Sequence, residues 1–153
     1  METVKTCCIT GHRRIQPEHF QQITRSLRTQ VMLALVDGYR RFISGFAVGT
    51  DLAFAEAVIH YRETEYPDII LEAAIPHPGR MRTKDETFQR LIRQCDIVKI
   101  HSDHYFEGCY LLRNRYMIHQ SQRLITVYDG RTDGGTAISS HHVRGRELRI
   151  IWS

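Results

Sequence analysis

RFISGFAVGTDLAFAEAVIHYR, residues 41–62, is the stretch that decides how this chain folds. Arg41 to Ser44 reads as a short buried strand, and Asp51 to Arg62 as a helix. In that helix Ala53, Ala55 and Ala57 permit close packing on a sheet. Between them lies Ser44-Gly45-Phe46-Ala47-Val48-Gly49-Thr50-Asp51. Glycines at 45 and 49 let the backbone bend tightly and approach a ligand without a Cβ clash. A helix opening at Thr50 or Asp51 would aim unpaired amides at an anion. Asp51 would repel a phosphate, so it reads as an N-cap or as an acceptor for ribose hydroxyls. The plain alternative is a tight strand-to-helix connection that binds nothing.

The same alternation continues on either side. Val4 to Ile9 reads as a first strand ending at Thr10-Gly11-His12-Arg13-Arg14. Phe20, Ile23, Leu27, Val31 and Leu35 then form an apolar stripe at helical spacing, with Pro17 at its start and Gly38 at its end. Ile69 to Ile75 is a third strand, halted by Pro76-His77-Pro78-Gly79. Thr83-Lys84-Asp85-Glu86 has the form of a capping box opening a third helix. Asp96 to Ile100 is a fourth strand, Leu111 to Gln120 a helix, and Leu124 to Tyr128 a fifth strand. After Asp129-Gly130 and Gly134-Gly135-Thr136 a short helix is expected, and Leu148 to Trp152 supplies a final edge strand. Strict alternation of this kind predicts an α/β fold: one Rossmann-like doubly wound domain over residues 1–153, its mostly parallel sheet flanked by helices on both faces. An α+β domain with a mixed sheet is the rival.

In such sheets ligands bind beyond the carboxyl ends of the strands. Every strand here ends in polar, glycine or proline sequence, and the fold would gather those ends along one rim. The candidate ligand and phosphate contacts are Gly11, His12 and Arg13; Ser44, Gly45, Phe46, Gly49, Thr50 and Asp51; Arg113 and Asn114; and Asp129, Gly134, Gly135 and Thr136. If the first and fourth strands lie side by side, as in most doubly wound sheets, Arg13 and Arg113 could clamp a phosphate together. Glu56 is the nearest candidate for a catalytic carboxylate, with a surface or capping role as its rival.

The 153 residues suit one domain, and 42% hydrophobic with 25% charged is ordinary globular composition. No apolar run approaches the roughly 20 residues that span a bilayer, so no membrane partner is expected. The start of the chain lacks a secretory signal's apolar segment. Cys7, Cys8, Cys95 and Cys109 form no Cys-x-x-Cys pair, which favours reduced thiols and a cytoplasmic location. Nine histidines show no metal-ligand spacing, so no metal and no required cofactor is expected. A net charge of +4 suits a phosphate-bearing partner, but 17 acidic residues are interleaved with the 21 basic ones.

The turn Ser44–Asp51 resembles the SG-x-A-x-G-x-D turn of the DNA-processing protein DprA (Smf). Gly134-Gly135-Thr136 resembles the glycine motif of the LOG enzymes, which release base from cytokinin ribotides. Both families belong to the SLOG superfamily. Thr10-Gly11-His12-Arg13, Arg113-Asn114-x-x-Met117 and Asp129-Gly130 look most like its YpsA-like branch. The resemblance implies a Rossmann-like domain holding a nucleotide-derived ligand at its glycine turns, ADP-ribose- or NAD-like or a nucleoside phosphate, often in a homo-oligomer such as a dimer. LOG enzymes carry a catalytic Glu where this chain has Ser139, so the expectation moves from catalysis towards binding or sensing. A nucleotide N-glycosidic or phosphoester hydrolase is the first alternative. Single-stranded nucleic-acid binding, as in DprA, is the second.

Overall fold

The computed structural model describes residues 3–11, 15–128 and 145–152. Six strands form one sheet: β1 (Lys5–Gly11), β2 (Tyr39–Ser44), β3 (Ile70–Ile75), β4 (Ile97–Ile100), β5 (Arg123–Tyr128) and β6 (Glu147–Trp152). Their order is β4-β3-β2-β1-β5-β6, and every pairing is parallel. Four α-helices are described: α1 (Phe20–Val36), α2 (Thr50–Thr64), α3 (Glu86–Ile92) and α4 (Cys109–Gln120). The expected Rossmann-like α/β architecture is therefore present, with β6 at an edge. The short helix expected after Thr136 falls outside the described residues.

The topology explains how the helices divide. The chain steps outward from β1 through β2 and β3 to β4, then returns to place β5 on the other side of β1. Right-handed crossovers stepping one way put α1, α2 and α3 on one face. The return step puts α4 on the other, where it packs against β1 and β3. The larger core lies under the three helices. Ile23, Leu27, Val31, Ala34 and Leu35 of α1 are all buried, as the apolar stripe predicts, but Phe20 in the first turn is 48% exposed. Phe42 of β2 meets Phe54 of α2 with ring centroids 6.1 Å apart. The alanines of α2 at 53, 55 and 57 are buried and let that helix sit close to the strands.

Two local expectations need correction. The capping box at Thr83 is not what opens α3: the Asp85 carboxylate accepts from the amides of Thr87 and Phe88 at 2.9 and 3.2 Å, while the Thr83 hydroxyl accepts from Asp85 N. A 3₁₀ turn over Pro78–Arg82 occupies the preceding chain, which delays the helix start. Nor do the first and fourth strands lie side by side. β1 sits between β2 and β5, and β4 is the outer edge, because each of the first three crossovers advances by one strand in the same direction.

Candidate functional site

The crevice at the switch in strand order lies between the carboxyl ends of β1 and β5, where Gly11 pairs in register with Val127. The glycine turn leaves β2, the neighbour of β1 on the other side. Residues 12–14 follow directly on β1 and residues 129–144 directly on β5. His12, Arg13, Asp129, Gly134, Gly135 and Thr136 lie outside the described residues, as does Ser139. Three adjacent strands nevertheless carry the three sequence motifs.

Inside the turn, much of the side-chain chemistry is structural. Ser44 is fully buried; its hydroxyl donates to the Asp51 carbonyl at 2.9 Å and accepts from Phe46 N at 3.2 Å. Phe46 holds a positive φ of 58°, a conformation costly for a non-glycine residue. Its ring is buried and meets Phe88 of α3 edge-on at 5.5 Å, which anchors the turn. The Phe46 side chain thus faces the core and not the rim. Asp51 Oδ2 accepts from Ala47 N at 3.2 Å, so this carboxylate folds the turn around itself from within the first turn of α2.

Gly45 is glycine because its missing Cβ leaves room for two charged side chains. A Cβ there would stand 2.7 Å from Nη1 of Arg113 and 2.9 Å from Oδ2 of Asp51. Arg113, 4% exposed, reaches across from α4. Its Nη1 donates to the carbonyls of Gly45 and Ala74 at 2.7 and 3.0 Å, tying the ends of β2 and β3 together. Asn114 Oδ1 accepts from Arg113 Nε at 2.8 Å and orients the guanidinium. Gly11 shows the same logic towards β1: a Cβ would stand 2.7 Å from Cγ2 of the buried Thr50. The end of β1 therefore abuts the first residue of α2.

What remains open is the outer lip of the turn. Gly49, with φ 94°, precedes α2 as its N-cap without a side-chain cap. The first bond of the turn into the helix runs from Ala53 N to the Gly49 carbonyl. Among the described residues no acceptor meets the amides of Val48, Gly49 or Leu52. Such a helix start carries a partial positive charge. Val48 is half exposed. At the end of β1, the Thr10 hydroxyl is buried with no partner among the described residues.

Glu56 lies elsewhere. It is six residues into α2, about 9 Å along the axis from Thr50, and its Oε1 accepts from Arg90 of α3 at 3.0 Å on an exposed surface.

Two groups at the outer strands went unread in the sequence because they assemble only in three dimensions. Beneath α4, the buried Glu72 carboxylate accepts from Arg41 Nη2 at 2.6 Å and from the Tyr116 hydroxyl at 2.6 Å. Burial and that hydrogen bond push the Tyr116 phenol up to about 12. The His101 ring lies 4.2 Å from that of Tyr116 at a tilt of 48°, and burial together with Lys99 pulls its pKa below the ordinary imidazole value. At the ends of β3 and β4, His77 meets Tyr105 and Tyr110 edge-on at 5.4 and 5.8 Å. Among the described residues no group of three His, Cys, Asp or Glu could hold a metal ion. No described helix is long and apolar enough to cross a membrane. Burial raises the Cys7 thiol and pushes those of Cys8 and Cys95 up to about 12, the direction of unreactive thiols.

Comparisons with known proteins agree with this architecture. A solved structure of DNA processing protein A from Helicobacter pylori, reported for its single-stranded DNA binding mode, superposes with a TM-score of 0.55 at 22% identity. It covers 84% of this chain and 56% of that one, so this chain spans little more than half of its length. UPF0398 proteins of Bacillus thuringiensis (strain Al Hakam) and Bacillus cereus (strain AH187) are each 25% identical over 144 residues, 86% of this chain and 78% of theirs. The YpsA family model, described as the YspA SLOG family, matches residues 7–148, and the chain belongs to that family.

Proposed function

We propose that the chain binds a nucleotide or nucleotide-derived small molecule, its phosphate held at the lip of the glycine turn. The observation that carries this reading is the set of open amides at Val48, Gly49 and Leu52 where α2 begins. Aligned donors at a helix N-terminus, carried on a glycine turn beside the topological switch, form an anion site with no need for a nearby lysine. The unpartnered Thr10 hydroxyl at the end of β1 is a further donor at the carboxyl end of the sheet. Residues 12–14 and 129–144, starting from the adjacent strand ends, supply the remaining contacts in this reading. Binding is favoured over hydrolysis because Glu56 is paired with Arg90 along the helix surface.

Thermal shift and calorimetric titration with AMP, ADP-ribose and NAD test the proposal. Wild-type protein is expected to be stabilised by at least one of them. Val48→Glu places a carboxylate among the open amides at an exposed position, so it should fold normally and lose that response. Absence of any nucleotide response, or an undiminished response in Val48→Glu, refutes the proposal.

A second reading, single-stranded nucleic-acid binding, draws on the Helicobacter pylori neighbour and the shared fold. It requires affinity for an oligonucleotide that falls steeply with added salt. Anisotropy titration at low salt with no binding removes it.

A further inference from the structure

We infer that the aromatic group at the ends of β3 and β4 is a stacking site for a nucleobase, with Tyr105 as its exposed platform; this rests on the phosphate reading above. Tyr105 is 65% exposed at the rim. It is held there by a constructed support. His77 accepts from Gly79 N at 3.1 Å through Nδ1, which locks its ring. A Cβ on Gly79 would lie 2.8 Å from that ring, so glycine is needed for the imidazole to sit where it does. The other ring nitrogen lies 3.4 Å from the Tyr110 hydroxyl. Tyr105 and Tyr110 both meet the imidazole edge-on. Edge-on contacts at one side of a ring leave its faces for another π system.

The group is joined to the glycine turn through one side chain. The Arg113 guanidinium lies 5.6 Å from the Tyr110 ring centroid, and the same guanidinium donates to the Gly45 carbonyl. The ends of β2 and β3, which carry the turn and His77, are one strand spacing apart, about 4.8 Å. A nucleotide with its phosphate on the turn therefore has its base directed either towards β1 and β5 or towards these rings. In the first direction the aromatic pair Tyr128 and Trp152 ends β5 and β6, two and three strand spacings from β2, whereas His77 follows β3, a single spacing away. A base stacked there gains from van der Waals contact and is read little by hydrogen bonding, so the site would accept more than one base.

The test compares AMP with ribose 5-phosphate by calorimetry in wild type, Tyr105→Ala and Tyr105→Phe. Stacking on one aromatic residue corresponds to roughly a 5- to 150-fold preference for the ligand that carries a base. Tyr105→Ala is expected to abolish that preference and leave ribose 5-phosphate affinity unchanged, while Tyr105→Phe preserves both. Equal wild-type affinities, or a preference that survives Tyr105→Ala, overturn the stacking site and leave the phosphate reading intact. Failure of both ligands to bind wild type defeats the phosphate reading itself, and the stacking site with it. A parallel titration with oligothymidylate separates the two sources of a base: sensitivity to Tyr105→Ala with AMP supports the mononucleotide site, and sensitivity with the oligomer alone overturns it.

Discussion

Replacing Gly45 by alanine is the sharpest perturbation of the turn, because the cost arises from contacts with two named side chains. The backbone there is compatible with any residue, so conformational strain contributes little. The added methyl would stand 2.7 Å from Arg113 Nη1, 2.8 Å from Cζ and 2.9 Å from Asp51 Oδ2. Arg113 is 4% exposed and cannot simply swing into water. To relieve the clash it must weaken its bonds to the Gly45 and Ala74 carbonyls, and a hydrogen bond to a charged group is worth ~1.5–3 kcal/mol. Losing one and lengthening the other gives a cost of about 3 kcal/mol. Gly45→Ala, Arg113→Ala and the double variant should be compared by urea unfolding. With the guanidinium gone only the Asp51 Oδ2 contact at 2.9 Å remains, so the double variant should cost clearly less than the sum of the two single variants. A Gly45→Ala cost below about 1 kcal/mol, or strict additivity in the cycle, would refute the placement of Arg113 across the strand ends.

Two further outcomes follow from the group beneath α4. Glu72→Ala removes a buried carboxylate that serves both Arg41 and Tyr116. Breaking a buried pair costs ~3–5 kcal/mol, with the lower end expected because Arg41 also donates to Gln120; a shift in urea midpoint equivalent to less than about 1 kcal/mol would contradict the pairing. His101, neutralised by burial and the Lys99 charge, has a folded pKa below its unfolded value. The unfolded chain binds more protons in that window, so this contribution is complete above about pH 6.5 and is lost as pH falls through the folded value. Urea midpoints measured across that range should show a shallower pH slope in His101→Gln, and an unchanged slope would dismiss the effect.

The secondary elements were legible because their boundaries are written in local chemistry. Apolar runs such as Ile69–Ile75 stop at proline, and the stripe from Ile23 to Leu35 stops at Gly38. Strand order was not legible in the same way. It depends on the direction of each crossover, which no short segment encodes, so β1 and β4 were placed together and lie three strands apart. The glycine turn was located correctly as the link from β2 to α2, yet the reason for Gly45 was hidden. Its partner, Arg113, lies 68 residues away, and only the return of the chain to α4 brings the two together. The Thr83 signal misled because Thr83 ends the 3₁₀ turn over Pro78–Arg82, and Asp85 caps α3. Glu72, Tyr116 and His101, like His77 and Tyr105, come from separate elements and gave no common motif.

The central claim is that the outer lip of the Ser44–Asp51 turn receives the phosphate of a nucleotide. Backbone amide NMR during titration with AMP addresses it most directly. The account predicts that the amide resonances of Val48, Gly49 and Leu52 move first and furthest, with saturation at a common concentration and no such movement in Val48→Glu. Saturating shifts confined to other parts of the chain, with these three amides unmoved, would contradict it.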